Sequence, residues 1–96
     1  KLTDYPQKIA QNIKILRDIL YLELKKLNLI VFYGEATYLL FYTFDFKLHE
    51  KLLKYNILIR NCENYIGLTK GYYRVAVRTE EENNKLIKAI KEVLNN

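Results

Sequence analysis

The chain has no methionine, no tryptophan and no serine, and only one proline, one cysteine and three glycines in 96 residues. Each shortage excludes something. Without serine there is no serine triad. Cys62 alone cannot close an internal disulfide and has no partner for a structural zinc site. No base is suggested beside it, so a buried thiol fits better than a nucleophile, and the expected setting is reducing and cytoplasmic. No secretory signal opens the chain, and no apolar run approaches the roughly 18 residues of a membrane span. The run Tyr38 to Tyr42 is strand-sized. Gly67 and Gly71 make neither a G-x-G-x-x-G nor a Walker pattern, so no phosphate loop is present. The missing methionine predicts a processed chain or a piece of something longer.

Half the residues are hydrophobic and 28% are charged, enough to bury one core but a marginal one at this length. The net charge is +5, from 16 Lys and Arg against 11 Asp and Glu. Lys, Ile, Asn and Tyr, all with AT-rich codons, together make up 40 of the 96 residues. The lysine excess therefore reads as a codon habit rather than a phosphate-binding surface, and nucleic acid is not the expected partner.

The patterning predicts one domain over residues 1–96. Thr3 or Asp4 can cap a first helix, with Pro6 in its first turn. Ile9, Ile13, Leu16, Leu20, Leu24 and Leu27 form its apolar stripe, with Arg17 and Asp18 off it, and Asn28 is the stop. Strands follow at Leu29 to Tyr33 and Thr37 to Thr43. Asp45 can cap a short helix with Leu48, Leu52 and Leu53 facing inward, ended by Asn56. Ile57 to Cys62 alternates as a strand, Glu63 to Gly71 is a loop, and Tyr72 to Arg78 alternates more clearly. Thr79 with Glu82 three residues on is a capping box for a last helix, whose stripe is Leu86, Ile90 and Val93 with Ile87 and Leu94 beside it. The order α-β-β-α-β-β-α predicts an α+β fold: a largely antiparallel four-stranded sheet with helices packed on one face.

Lysines number 12 and arginines four, so each arginine is worth asking about. A guanidinium grips a carboxylate or phosphate with a flat two-bond fork that an ammonium lacks. If the alternation holds, Arg60, Arg74 and Arg78 all leave the sheet away from its apolar side. Ala76 leaves room between Arg74 and Arg78, and no acid alternates with them on those strands. They form a candidate anion site; the competing reading is a solvated basic face or pairing with acids elsewhere. His49, beside Glu50 on a helix, reads as a surface residue. Tyr72 and Tyr73 face opposite sides, so at most one could join a base-stacking platform.

The segments Ile57-Leu-Ile-Arg-Asn-Cys-Glu-Asn-Tyr-Ile-Gly-Leu and Gly71-Tyr-Tyr-Arg-Val-Ala-Val-Arg-Thr-Glu-Glu-Glu-Asn resemble the C-terminal small domain of fold-type-I pyridoxal-phosphate enzymes. They are similar to the branch holding histidinol-phosphate aminotransferase and threonine-phosphate decarboxylase. Val31-Phe-Tyr-Gly-Glu-Ala-Thr-Tyr-Leu-Leu-Phe adds to the likeness, with Tyr33-Gly34 in place of the usual Pro-Ser and Thr37 in place of the usual asparagine. Asn61-Cys62 through Gly67-Leu68, together with Arg78, favour the decarboxylase side.

The resemblance implies that Arg74 grips a substrate carboxylate and Arg60 a substrate phosphate, with Arg78 as a third anion contact. The ligand would be a phosphorylated amino acid or amino alcohol, and the arginines' grip would orient the bond that breaks. It also implies that the cofactor, pyridoxal phosphate, is held by a large domain absent from this chain. On that reading this chain has no catalytic, cofactor-binding or metal residues and is inactive alone. The first helix would lead to the large domain, and the parent enzyme would be a homodimer. The rival expectation is a free-standing basic α+β binding module for RNA or a protein partner.

Overall fold

In a computed structural model, which describes residues 5–34 and 37–95, the chain runs α1 (Tyr5–Lys26), β1 (Ile30–Phe32), β2 (Tyr38–Tyr42), α2 (Leu48–Leu52), a 3-10 turn (Leu53–Tyr55), β3 (Arg60–Asn61), β4 (Tyr72–Ala76) and α3 (Glu80–Asn95). This is the α-β-β-α-β-β-α order that the patterning predicts. The four strands form one sheet in the order β1-β2-β4-β3, and every neighbouring pair is antiparallel. The helices share one face of it. Leu39, Phe41, Tyr73 and Val75 of the sheet meet Leu20 and Leu24 of α1, Leu48 and Leu52 of α2, and Leu86, Ala89, Ile90 and Val93 of α3 in a single buried cluster. Among the described residues, no helix is long and apolar enough to cross a membrane.

The expected α1 caps Thr3 and Asp4, and the side chain of Ile9, lie outside the described residues. The rest of the stripe behaves as its spacing requires: Leu20 and Leu24 are buried and Leu27 packs against the core. Asn28, at φ 65°, ends the helix in the left-handed conformation that asparagine tolerates. Arg17 departs from expectation. It is buried, its guanidinium carbon 5.5 Å from the ring centre of Tyr33, because Tyr33 folds back over α1 after β1. The Tyr33 hydroxyl donates to Asp18 at 2.9 Å.

The details differ from expectation in several places, and the strand predicted over Tyr72 to Arg78 ends at Ala76, which leaves Arg78 beyond it. Asp45 does not cap α2 directly. It accepts the Lys47 N–H at 3.1 Å in a turn ahead of the helix, whose N-cap is Lys47. Leu53, expected to face inward, is exposed. The chain tightens from α to 3-10 at that residue, and three residues per turn rotate Leu53 out of line with Leu48 and Leu52. The strand predicted over Ile57 to Cys62 shortens to Arg60–Asn61, because its ladder with β4 stops at Arg60↔Arg74.

At the other end the capping box forms. Thr79 Oγ1 accepts the Glu82 N–H at 3.2 Å and donates to the Glu82 carboxylate at 3.0 Å. That hydroxyl, more than the nearby Arg78, holds the Glu82 carboxyl below its ordinary pKa. Asn83, buried behind it, accepts the Arg78 N–H and donates to the Arg78 carbonyl, both at 3.0 Å. The exit from β4 into α3 is thereby fixed at both ends of one amide. Thr79→Ala is expected to cost about 1 kcal/mol, read as a lower urea midpoint with unchanged slope, with Thr79→Ser close to wild type.

Candidate functional site

Among the described residues no helix packs on the sheet's other face, and the strand register decides what stands on it. Phe32 pairs with Leu40, Leu40 with Arg74, and Arg74 with Arg60, so these four side chains form one row across the open face. A second row is Ile30, Tyr42 and Tyr72. Tyr73 points the opposite way and is buried, so only Tyr72 joins the open face. Tyr72 is itself engaged there, 4.9 Å from the ring of Tyr42 and 6.2 Å from that of Phe32.

Arg60 and Arg74 are thus direct cross-strand partners. Like charges placed opposite each other on a sheet destabilise it, by up to about 1 kcal/mol. Among the described residues no carboxylate lies within ion-pairing distance of either. What Arg74 does meet is aromatic: its guanidinium carbon lies 4.6 Å from the ring centre of Tyr38 and 6.0 Å from that of Tyr65. The two arginines open onto a groove of about 670 Å³, lined also by Thr37, Tyr38, Asn61 and Ala76. Ala76 leaves space there, as its small side chain suggests. Leu58 and Ile59, outside the ladder, also line the groove.

Arg78 is placed differently. It lies past the end of β4 and pairs with Glu82 of α3 at 3.2 Å, which is the competing reading of an arginine paired with an acid elsewhere in the fold. It lines a separate 400 Å³ hollow with Asn56, Lys85 and Leu86, and does not line the groove of Arg60 and Arg74. The structure therefore brings two of the three predicted arginines together.

Three residues near the site behave in ways worth separating. Cys62 is fully buried, as expected of an inert thiol, with its N–H donating to Tyr72 at 2.9 Å. Burial raises its pKa, against the opposing pull of Arg74 and Arg60. His49 is only partly at the surface, its Nε2 3.8 Å from the exposed Glu50 carboxylate. It is half-buried, with Nδ1 3.0 Å from the hydroxyl of buried Tyr73, and that hydroxyl also donates to the Asp45 carbonyl at 3.4 Å. This contact fixes Tyr73 beneath the sheet, one residue before Arg74. Tyr65, which sequence reasoning passed over, owes its place to two successive turns. Its N–H donates to the Cys62 carbonyl, and its own carbonyl accepts the Leu68 N–H, both at 3.0 Å. Gly67, at φ 83°, supplies the positive φ that the second turn needs.

Comparison with known proteins gives the family and the fold. Residues 2–90 match the family described as aminotransferase class I and II, and the chain belongs to that family. It is 42% identical over 96 residues to the adenosylcobalamin biosynthesis bifunctional protein CobDQ of Leptospira interrogans, covering 94% of this chain and 11% of that protein. Identity is 46% over 68 residues to threonine-phosphate decarboxylase of Salmonella typhimurium, covering 69% of this chain and 19% of that protein. Histidinol-phosphate aminotransferase of Methanopyrus kandleri is 36% identical over 97 residues, covering 95% of this chain and 25% of that protein. The chain thus spans a quarter or less of these relatives. Among solved structures, a histidinol-phosphate aminotransferase from Clostridium acetobutylicum superposes with a TM-score of 0.81 at 38% identity, over 86% of this chain and 26% of that one. A decarboxylase from Sulfurospirillum multivorans superposes with a TM-score of 0.83 at 26% identity, over 97% of this chain and 28% of that one.

The family is enzymatic, and membership implies pyridoxal phosphate in the parent enzyme. The groove's polar groups are two guanidiniums, an amide and two hydroxyls. The guanidiniums suit anions, but none of these groups is an amine that could bond the aldehyde of that cofactor. The residues of this groove do not fit the cofactor, and no step is derived through it.

Proposed function

We propose that this chain is the C-terminal, substrate-binding domain of a pyridoxal-phosphate-dependent aminotransferase or decarboxylase acting on a phosphorylated amino acid or amino alcohol. Arg74 holds the substrate carboxylate and Arg60 the phosphate. The observation that carries this reading is the Arg60↔Arg74 cross-strand pair, which opens on one groove with no carboxylate counter-charge among the described residues. Two guanidiniums at one register position make a site for a doubly anionic ligand, and such a ligand relieves their repulsion. The names of the relatives, threonine-phosphate decarboxylase and histidinol-phosphate aminotransferase, describe phosphorylated substrates. Arg78, tied to Glu82, contributes at most a third and more distant contact. The cofactor belongs to a large domain, the parent is a homodimer in the cytoplasm, and the isolated 96-residue chain is inactive.

Two probes test the assignment in the enzyme that carries this domain. O-phosphoserine has both anionic groups, and O-phosphoethanolamine lacks the carboxylate. Arg74→Ala is expected to weaken the first at least tenfold by calorimetry and leave the second within about twofold. Arg60→Ala is expected to weaken both. Equal affinity of wild type and Arg74→Ala for O-phosphoserine refutes the role.

A further inference from the structure

Arg74 poses a problem that the ligand does not solve. Before a ligand arrives, a long guanidinium side chain has many rotamers, and ordering it costs binding free energy. A neighbouring carboxylate would hold it still, but would occupy the fork that the ligand needs. Among the described residues Arg74 has no such partner and has two tyrosine rings instead, Tyr38 at 4.6 Å and Tyr65 at 6.0 Å. A ring attracts a cation through its quadrupole and brings no oxygen to compete for the fork.

We propose that Tyr38 and Tyr65 are positioning residues for Arg74, their rings holding the empty guanidinium in place while leaving it free of any competing carboxylate. The proposal rests on the assignment of Arg74 to the substrate carboxylate. The two rings come from separate supports. Tyr38 begins β2 and pairs with Ala76, two residues along β4 from Arg74. Tyr65 stands on the loop between β3 and β4, where its two turns hold it. Neither ring is buried in the core, so neither is needed to complete it. The hydroxyls play no part, since the attraction is to the ring.

The same two probes decide the matter in the whole enzyme. Tyr38→Leu and Tyr65→Leu keep apolar bulk and remove the ring, whereas Tyr38→Phe and Tyr65→Phe keep the ring. The double Leu variant is expected to bind O-phosphoserine roughly five- to thirtyfold more weakly, with O-phosphoethanolamine within about twofold. Both Phe variants should match wild type. Leu variants that bind O-phosphoserine as tightly as wild type overturn the proposal. So does an equal loss for both probes, because the rings would then support the groove as a whole. Tyr65 lies outside the sheet ladder, so Tyr65→Leu remains decisive even if Tyr38→Leu disturbs β2. Arg74→Ala serves as the control. If it fails to discriminate the probes, the carboxylate assignment itself is wrong. If it discriminates them and the Leu variants do not, only the positioning role is wrong.

Discussion

Arg74→Ala in the parent enzyme is expected to lower kcat/KM by about a hundredfold or more while leaving the cofactor's absorbance unchanged. Hydrogen bonds to a charged group contribute roughly 1.5–3 kcal/mol each, and a guanidinium fork makes two to one carboxylate. Part of that is offset by desolvation, which leaves about 3 kcal/mol as the loss in transition-state stabilisation. Arg74→Lys keeps the charge and loses the fork, so it should recover part of the activity and stay well below wild type. Stability should change little. The Arg74 side chain makes no ion pair among the described residues, and its removal relieves the repulsion from Arg60 across the strand. That relief offsets the loss of the ring contacts with Tyr38 and Tyr65, each about 0.5–1 kcal/mol at an exposed site, so the alanine variant should unfold at about the same urea concentration as wild type. A fall in kcat/KM of less than tenfold, or a large drop in stability, would count against a substrate-binding role for this arginine.

Much of this arrangement was legible in the residues, and what was not has a common cause. Local signals agree with the structure: the stripe of α1 from Leu20 to Leu27, the Thr79–Glu82 box and the alternation that buries Tyr73 and puts Arg74 on the open face. The side that Arg60 and Arg74 share could be read from alternation within each strand. That they are direct partners could not, because register depends on how two strands meet. The pairing of Arg78 with Glu82 did leave a trace, an arginine four residues before a glutamate at a helix start, but it was read only as part of a strand. His49, Arg17 and Asn83 were misread or missed because polar residues on amphipathic segments look solvated until a tertiary neighbour arrives. Those neighbours are Tyr73, Tyr33 and the main chain of Arg78. Leu53 was misplaced because the sequence carried no mark of the change from α to 3-10 pitch.

Gly71→Ala should be the most damaging small substitution in the domain, costing about 3 kcal/mol or more. Two separate penalties combine. Gly71 sits at φ 100°, where a side chain is strained by about 1 kcal/mol. An added methyl would also lie 2.6 Å from the Thr43 carbonyl oxygen, 2.6 Å from Cε1 of Tyr42 and 3.0 Å from Cε1 of Phe46. Overpacking of this kind costs roughly 1–3 kcal/mol where the neighbours cannot yield. The Thr43 main chain is poorly placed to yield, because its N–H donates to the Gly71 carbonyl at 2.9 Å and ties the end of β2 to the start of β4. Moving it would release the strand that presents Tyr72, Tyr73 and Arg74. Gly67 provides the contrast: its φ is 83°, but open space surrounds the site of a Cβ, so only the backbone strain remains. Thermal unfolding followed by circular dichroism should show Gly67→Ala a few degrees below wild type and Gly71→Ala more than about 10 °C below it, by the usual conversion for a domain of this size. Equal, small shifts for the two variants would mean that the β2–β4 junction is looser than its contacts indicate. The arginine groove would then not be held from that end.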